Sequence, residues 1–193
     1  NLSGMYDTMH DDTDTGANLA DLWIDNRSIT WSAEEVAEFC DNLDSNWNYD
    51  DYSLDSCEGR NIIQGAMFHN NSGEQKIINS LWHGIAPDAN SNRIWMPKGH
   101  SDGRLAVSAD EIVIDAHVVE PLELEIGDVI SIGAGASSAE FTIVGYGYHP
   151  VHIFMAPEGS VFPPEPGEDV VGYLSELGMA RLTGNEIGAS NTI

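Results

Sequence analysis

Apolar and polar positions follow two rhythms along the chain. Leu19-Ala20-Asp21-Leu22-Trp23-Ile24 is a short, mostly apolar block that predicts a strand. The run from Thr30 to Glu35 predicts a helix start, because Ser32 is a good N-cap and Glu35, three positions on, completes a capping box. Val36, Phe39, Cys40 and Leu43 then recur at helical spacing and form one apolar stripe over a helix at 33–43, which Asn46 and Asn48 end. Tyr52 to Met67 alternates loosely as a strand does. Asn70-Asn71-Ser72-Gly73-Glu74 is a hairpin signal, and Gln75 to Trp82 is the returning strand. The first 85 residues thus read as β-α-β-β.

The texture changes from Gly84-Ile85-Ala86-Pro87-Asp88 to a loop-rich lead. Glu111 to Asp115 predicts a strand, Gly127-Asp128 a tight turn, and Val129 to Ile132 a second, alternating strand. Gly133 to Ser138 is a small-residue hairpin loop, and Ala139 to Tyr148 returns through Phe141-Thr142-Ile143-Val144-Gly145. Pro150 to Pro166 is irregular. Asp169 to Leu174 predicts a strand, Ser175 caps a helix that Gly184 stops, and Asn191-Thr192-Ile193 begins a last strand. The fold class is α+β. Residues 1–18 form a polar lead-in, and its Asp11-Asp12-Thr13-Asp14 run looks in part like a calcium loop. The spacing fails, since position 12 of such a loop falls on Leu22 or Trp23 where Glu is required.

These blocks, in this order, resemble the extracytoplasmic domains of MacB/FtsX/LolC-like ABC transporter permeases over residues 19–193. Ala20 to Ile24 looks like that family's first strand after a membrane helix, the helix at 33–43 like its next element, and Trp82-His83-Gly84-Ile85-Ala86-Pro87 like a later block of it. The longest stretch of likeness runs from Gly103-Arg104-Leu105 through Glu111-Ile112-Val113-Ile114 to Leu122 and Val129-Ile130. Phe141 to Gly145 looks like a further strand of the family, and Leu182-Thr183-Gly184 followed by Asn191-Thr192-Ile193 like its last stretch before the second membrane segment. The resemblance implies two lobes: a porter-like βαβ lobe from residues 19–87 plus 150–193, and an inserted β-rich, sabre-like lobe at 88–149. It also implies a non-catalytic domain outside the membrane, carried between membrane helices. The full-length permease would be a membrane-embedded dimer, driven by a separate ABC ATPase subunit and acting on an unknown cargo or extracytoplasmic partner. The opening on Asn1 and the extended-looking close at 189–193 read as an excised piece of a longer protein.

Charge narrows the partners. The 193 residues hold 32 Asp plus Glu against seven Lys plus Arg, for a formal charge of -25. Nucleic-acid binding needs cations to displace counterions from phosphates, so no nucleic-acid partner is expected. An anionic lipid surface is excluded on the same ground. Charge-driven partners are cationic. Hence the alternative reading: a free-standing exported acidic binding module for cations or basic peptides. With 41% hydrophobic residues the chain has material for a core, and its dispersed acids read as a surface adapted to its medium, where salt screens their repulsion.

Candidate chemistry is sparse. His149 and His152 are three apart, which on a strand or loop does not bring them to one face, and no third ligand is adjacent. His100 near Asp102 and His117 near Asp115 are the pairs expected by chance among so many acids. Gly133 to Ser138 lacks the Lys of a phosphate loop, and no GxSxG elbow occurs. No catalytic residue, cofactor or metal ligand is assigned. Trp95, Met96, Phe154 and Met155 mark a partner surface if exposed, and core where the lobes meet if buried. Cys40 and Cys57 are two buried thiols or one disulfide; the helix-and-next-strand placement leads us to expect the disulfide.

Overall fold

The computed structural model describes residues 17–48, 53–71, 74–96, 103–152 and 165–193. Phe154 and Met155 lie outside the described residues. Helix α1 spans Ala33–Asn46, and its capping box forms as expected: the Ser32 hydroxyl accepts from the Glu35 amide while the Glu35 carboxylate accepts from the Ser32 amide. Six strands follow: β1 (Asn61–Asn71), β2 (Glu74–Ile85), β3 (Glu111–Asp115), β4 (Val129–Ala134), β5 (Ser137–Gly147) and β6 (Asp169–Ser175). Helix α2 (Glu176–Thr183) begins at Ser175, whose hydroxyl caps the Gly178 amide. It ends at Gly184, whose φ of 77° is the left-handed conformation that glycine tolerates.

The strands close into one barrel in the order β1-β2-β6-β3-β5-β4. Two hairpins supply local pairing: β1 with β2 from Asn61↔Gly84 to Asn71↔Glu74, and β4 with β5 from Val129↔Thr142 to Ala134↔Ser137. The remaining pairings are distant in sequence. β2 and β3 run parallel to β6 and β5 respectively, β3 is antiparallel to β6, and β4 closes on β1 through Ala66↔Gly133 and Met67↔Ile132.

This wall differs from the two-lobed expectation. β3, β4 and β5 come from residues 88–149, yet β3 bonds to β6 and β4 bonds to β1. One core runs through both segments, joining Met67, Ile78, Trp82 and Leu174 to Ile112, Ile132, Phe141 and Ile143. The physical reason is edge removal. Three strands standing alone would present two open edges, and closure with β1 and β6 leaves none. Helix α2 touches β2, β4, β5 and β6, and its Met179 and Leu182 join the core.

The strand expected at 19–24 is not formed. Isolated bridges occur only beyond it, Asp25↔Thr192 and Trp31↔Ser190, because the partner segment at 190–193 is itself short. That segment is held to β1 by a side chain: the Asn191 amide donates to the Ile62 carbonyl and accepts from the Ile62 amide, each at 2.8 Å.

At the centre, Trp82 is fully buried and its Nε1 donates to the Gly133 carbonyl at 3.0 Å. The indole lies against Gly65 of β1 and Gly172 of β6; a Cβ on Gly172 would sit 2.7 Å from Cζ3. Helix α1, by contrast, buries only Val36, and its tie to the rest is covalent: Cys40 and Cys57 are bonded with Cα atoms 5.6 Å apart.

Two outcomes follow. Gly172→Ala overpacks the barrel and is expected to cost about 1–3 kcal/mol; an unchanged urea midpoint would refute the indole contact. Cys40→Ser/Cys57→Ser is expected to lose about 3 kcal/mol by the loop-closure argument. It should also open α1 to proteolysis before the barrel melts, and a double variant as protease-resistant as the parent would refute the tie.

Candidate functional site

The chemistry gathers where β2, β6, the end of β3 and the turn after β5 meet. A 3-10 turn at Pro150–His152 follows β5, and one at Ala116–Val118 follows β3. His83 on β2 and His149 are buried, at 2% and 0% exposure, and His152 is half-buried. Their ring centroids are 4.9–5.2 Å apart. Tyr173 of β6 stacks on His149 at 5.9 Å.

Arg60, just before β1, is 7% exposed and points into this group. Its Nη1 lies 2.8 Å from His149 Nε2 and donates to the Asn92 carbonyl at 3.3 Å; its Nη2 donates to the Ser91 carbonyl at 3.0 Å. Among the described residues, no carboxylate lies within salt-bridge distance of this guanidinium. Because a guanidinium only donates, the Arg60 contact asks His149 Nε2 to accept, which a doubly protonated ring cannot do; the Val151 amide faces Nδ1 at 3.2 Å. Burial first, then Arg60 and His152, holds the His149 pKa well below the ordinary value.

His83 meets His152 through their Nε2 atoms at 3.0 Å, and its Nδ1 has no hydrogen-bond partner. A buried unpaired acceptor costs less than a buried unpaired donor, so we assign the His83 proton to Nε2 and the accepting role to His152. Charging His83 would create a donor at Nδ1 with nowhere to donate. Burial, with His149, His152 and Arg60 nearby, holds its pKa well below the ordinary value.

A second pair adjoins. Asp115 is fully buried and accepts from the Tyr173 hydroxyl at 2.8 Å and from the His117 backbone amide at 3.0 Å. His117 Nδ1 lies 2.7 Å from Asp115 Oδ1, the same oxygen that accepts its backbone amide, and that hydrogen bond raises the His117 pKa. Burial, then Asp115, pushes the Tyr173 hydroxyl well above its ordinary value.

Of the residues singled out from sequence, Trp95 is 52% exposed and stacks on Tyr148 at 5.3 Å. Met96 is half-buried and packs against Gly145 and Gly147 of β5, so the two neighbours divide between surface and core. His149 and His152, read from their spacing as not sharing a face, are brought together, and His149 is core. No three of the His, Cys, Asp and Glu side chains among the described residues are placed to share a metal ion. Arg60, His83 and Tyr173 had no signal in the sequence.

No family model matches the sequence, and no curated protein matches it. Among solved structures, the chain is similar to the extracellular domain of a noncanonic ABC-type transporter, YknZ, from Gram-positive bacteria. The TM-score is 0.40 at 14% identity, covering 70% of this chain and 62% of that one, so less than two thirds of that chain's length is spanned.

The arrangement acts as a latch that needs neutral histidines. Where the folded pKa of a histidine is depressed, the unfolded chain binds more protons below its own pKa. Stability from His83 and His149 is therefore full above about pH 6.5 and is lost as pH falls below it, by up to about 1.4 kcal/mol per pH unit for each. His117 runs the other way, since its raised pKa contributes below about pH 6.5 and fades as pH rises through the folded value. The two buried rings dominate. Urea unfolding at pH 7.5 and 5.5 should show the parent weakening in acid, and His149→Gln, whose amide oxygen also accepts from Arg60, weakening less steeply. Equal slopes in both proteins would refute the latch.

Proposed function

We propose that this chain is a non-catalytic extracytoplasmic domain of an ABC transporter permease. It couples ATP hydrolysis by a separate cytoplasmic ATPase to the movement or handling of a cargo or partner outside the membrane. One observation carries the reading. Ile24 and Ile193 exchange backbone hydrogen bonds, at 2.7 and 3.0 Å, so the two sequence blocks that the resemblance sets beside membrane helices lie side by side. A domain carried between two membrane helices needs its incoming and outgoing segments adjacent. The buried polar group fits a framework role, since none of the three histidines lines the cleft that reaches Arg60. No helix among the described residues is long and apolar enough to cross a membrane.

The test uses the complete gene. Its product is expected in the carbonate-washed membrane fraction, with this domain cleaved by protease added outside intact cells and an ATPase subunit retained on gentle purification. The purified 193-residue chain should hydrolyse no ATP. Recovery of the product as a soluble protein, or protease protection in intact cells, would overturn the assignment.

A further inference from the structure

A cleft of about 500 Å³ opens between α1 and the segment at 18–24, on the side of the barrel where the described chain ends meet. Leu19, Leu22, Ile24, Phe39, Leu43 and Trp47 form its apolar walls. Leu22 is 69% exposed, and Leu19, Ile24 and Phe39 are each exposed by more than a third. Phe39 and Leu43 are four apart on α1 and present one ridge to the cleft. The volume is that of an ordinary ligand site. The Cys40–Cys57 bond ties the helix to the floor at 53–58, so the walls are held without burial to hold them.

The charge around it is one-sided. Asp21, Asp55 and Glu58 line the cleft. Helix α1, whose Phe39 and Leu43 form one wall, carries Glu34, Glu35, Glu38, Asp41 and Asp44 outside the lining and no Lys or Arg. The cation in the lining, Arg60, is buried and committed to His149 and two carbonyls. A second copy of this chain would bring the same acids to the same place, and an anionic lipid surface is repelled by the net charge of -25. An occupant that covers the apolar walls and neutralises their rim must be apolar on one face and basic at its borders.

We propose that this cleft docks a cationic amphipathic peptide segment, its apolar face against Leu22, Phe39 and Leu43 and its Lys or Arg side chains against Asp21, Asp55 and the acids of α1. The site rests on the cleft and its charge and not on the permease assignment, so its result reads the same whichever way the localisation experiment falls.

The probe is a designed amphipathic peptide of leucine and lysine, titrated into the whole chain with tryptophan emission and calorimetry as readouts. Two controls accompany it: the same pattern with glutamate for lysine, and an oligolysine of equal charge. The leucine–lysine peptide is expected to bind at least about tenfold more tightly than either control. Leu22→Ser/Phe39→Ser is expected to weaken it by about tenfold or more. Both side chains are exposed, so the fold survives the change, as unaltered melting will verify. Asp21→Asn/Asp55→Asn is expected to weaken it severalfold and flatten its salt dependence. Binding of the glutamate peptide or of oligolysine with equal affinity would overturn the proposal, as would indifference to both variants. A dimer dispersed by Leu22→Ser, or co-sedimentation with anionic phosphatidylglycerol vesicles, would assign the cleft to a second copy or to lipid instead.

Discussion

The barrel is organised around one indole. Trp82 projects from β2 into an interior bounded by five other strands, and three of those strands answer it with glycine. Gly65 and Gly172 remove the side chains that would strike the ring, and Gly133 gives its carbonyl to the indole nitrogen. Those glycines lie on β1, β6 and β4. β4 belongs to the middle of the sequence, while β1 and β6 flank it, so the same ring fastens the segments together. With Trp82 seated, the register of β2 against β6 follows, and with it the position of His83, the next residue along β2.

Local signals were legible and long-range pairing was not. Ser32 and Glu35 announce α1, Ser175 and Gly184 bracket α2, and the small residues from Gly133 to Ser138 announce the β4–β5 turn, because each depends on neighbours a few residues away. The placement of β3 between β6 and β5 depends on closing a sheet from distant pieces, and alternation alone does not say which strands become neighbours. So the middle segment read as an inserted β-rich lobe, while its Ile112, Ile132, Phe141 and Ile143 share a core with Met67, Trp82 and Leu174. The block at 19–24 misled for the opposite reason. It has strand composition, yet its apolar residues stay in solvent beside the cleft, since the segment it pairs with supplies only isolated bridges.

The polar cluster shows the same division. His149 and His152 were visible as a pair but dismissed, on the ground that residues three apart do not share a face in extended chain. The structure puts a 3-10 turn, Pro150–His152, directly after His149, and the His152 amide donates back to the His149 carbonyl, so that separation becomes adjacency. Proline at the first position of a helical turn was the available signal. Arg60, His83 and Tyr173 arrive from three other places and carried none. What unites them is that Arg60 meets no carboxylate within salt-bridge distance among the described residues. The cation is solvated by two carbonyls and an imidazole, and an imidazole can serve there only while it is uncharged.

The meeting of the described chain ends has a mechanical consequence. Ile24 bonds to Ile193, Asn26 to Asn191 and Trp31 to Ser190, in antiparallel order. Tension that spreads the two ends meets these contacts one after another and peels them like a zip. Tension that draws both ends in the same direction loads none of them singly; it passes through the Asn191–Ile62 clamp and the bonds at Arg60 into β1 and so into the closed wall. The fold is compliant to a force that separates its two end segments and stiff to one that moves them together.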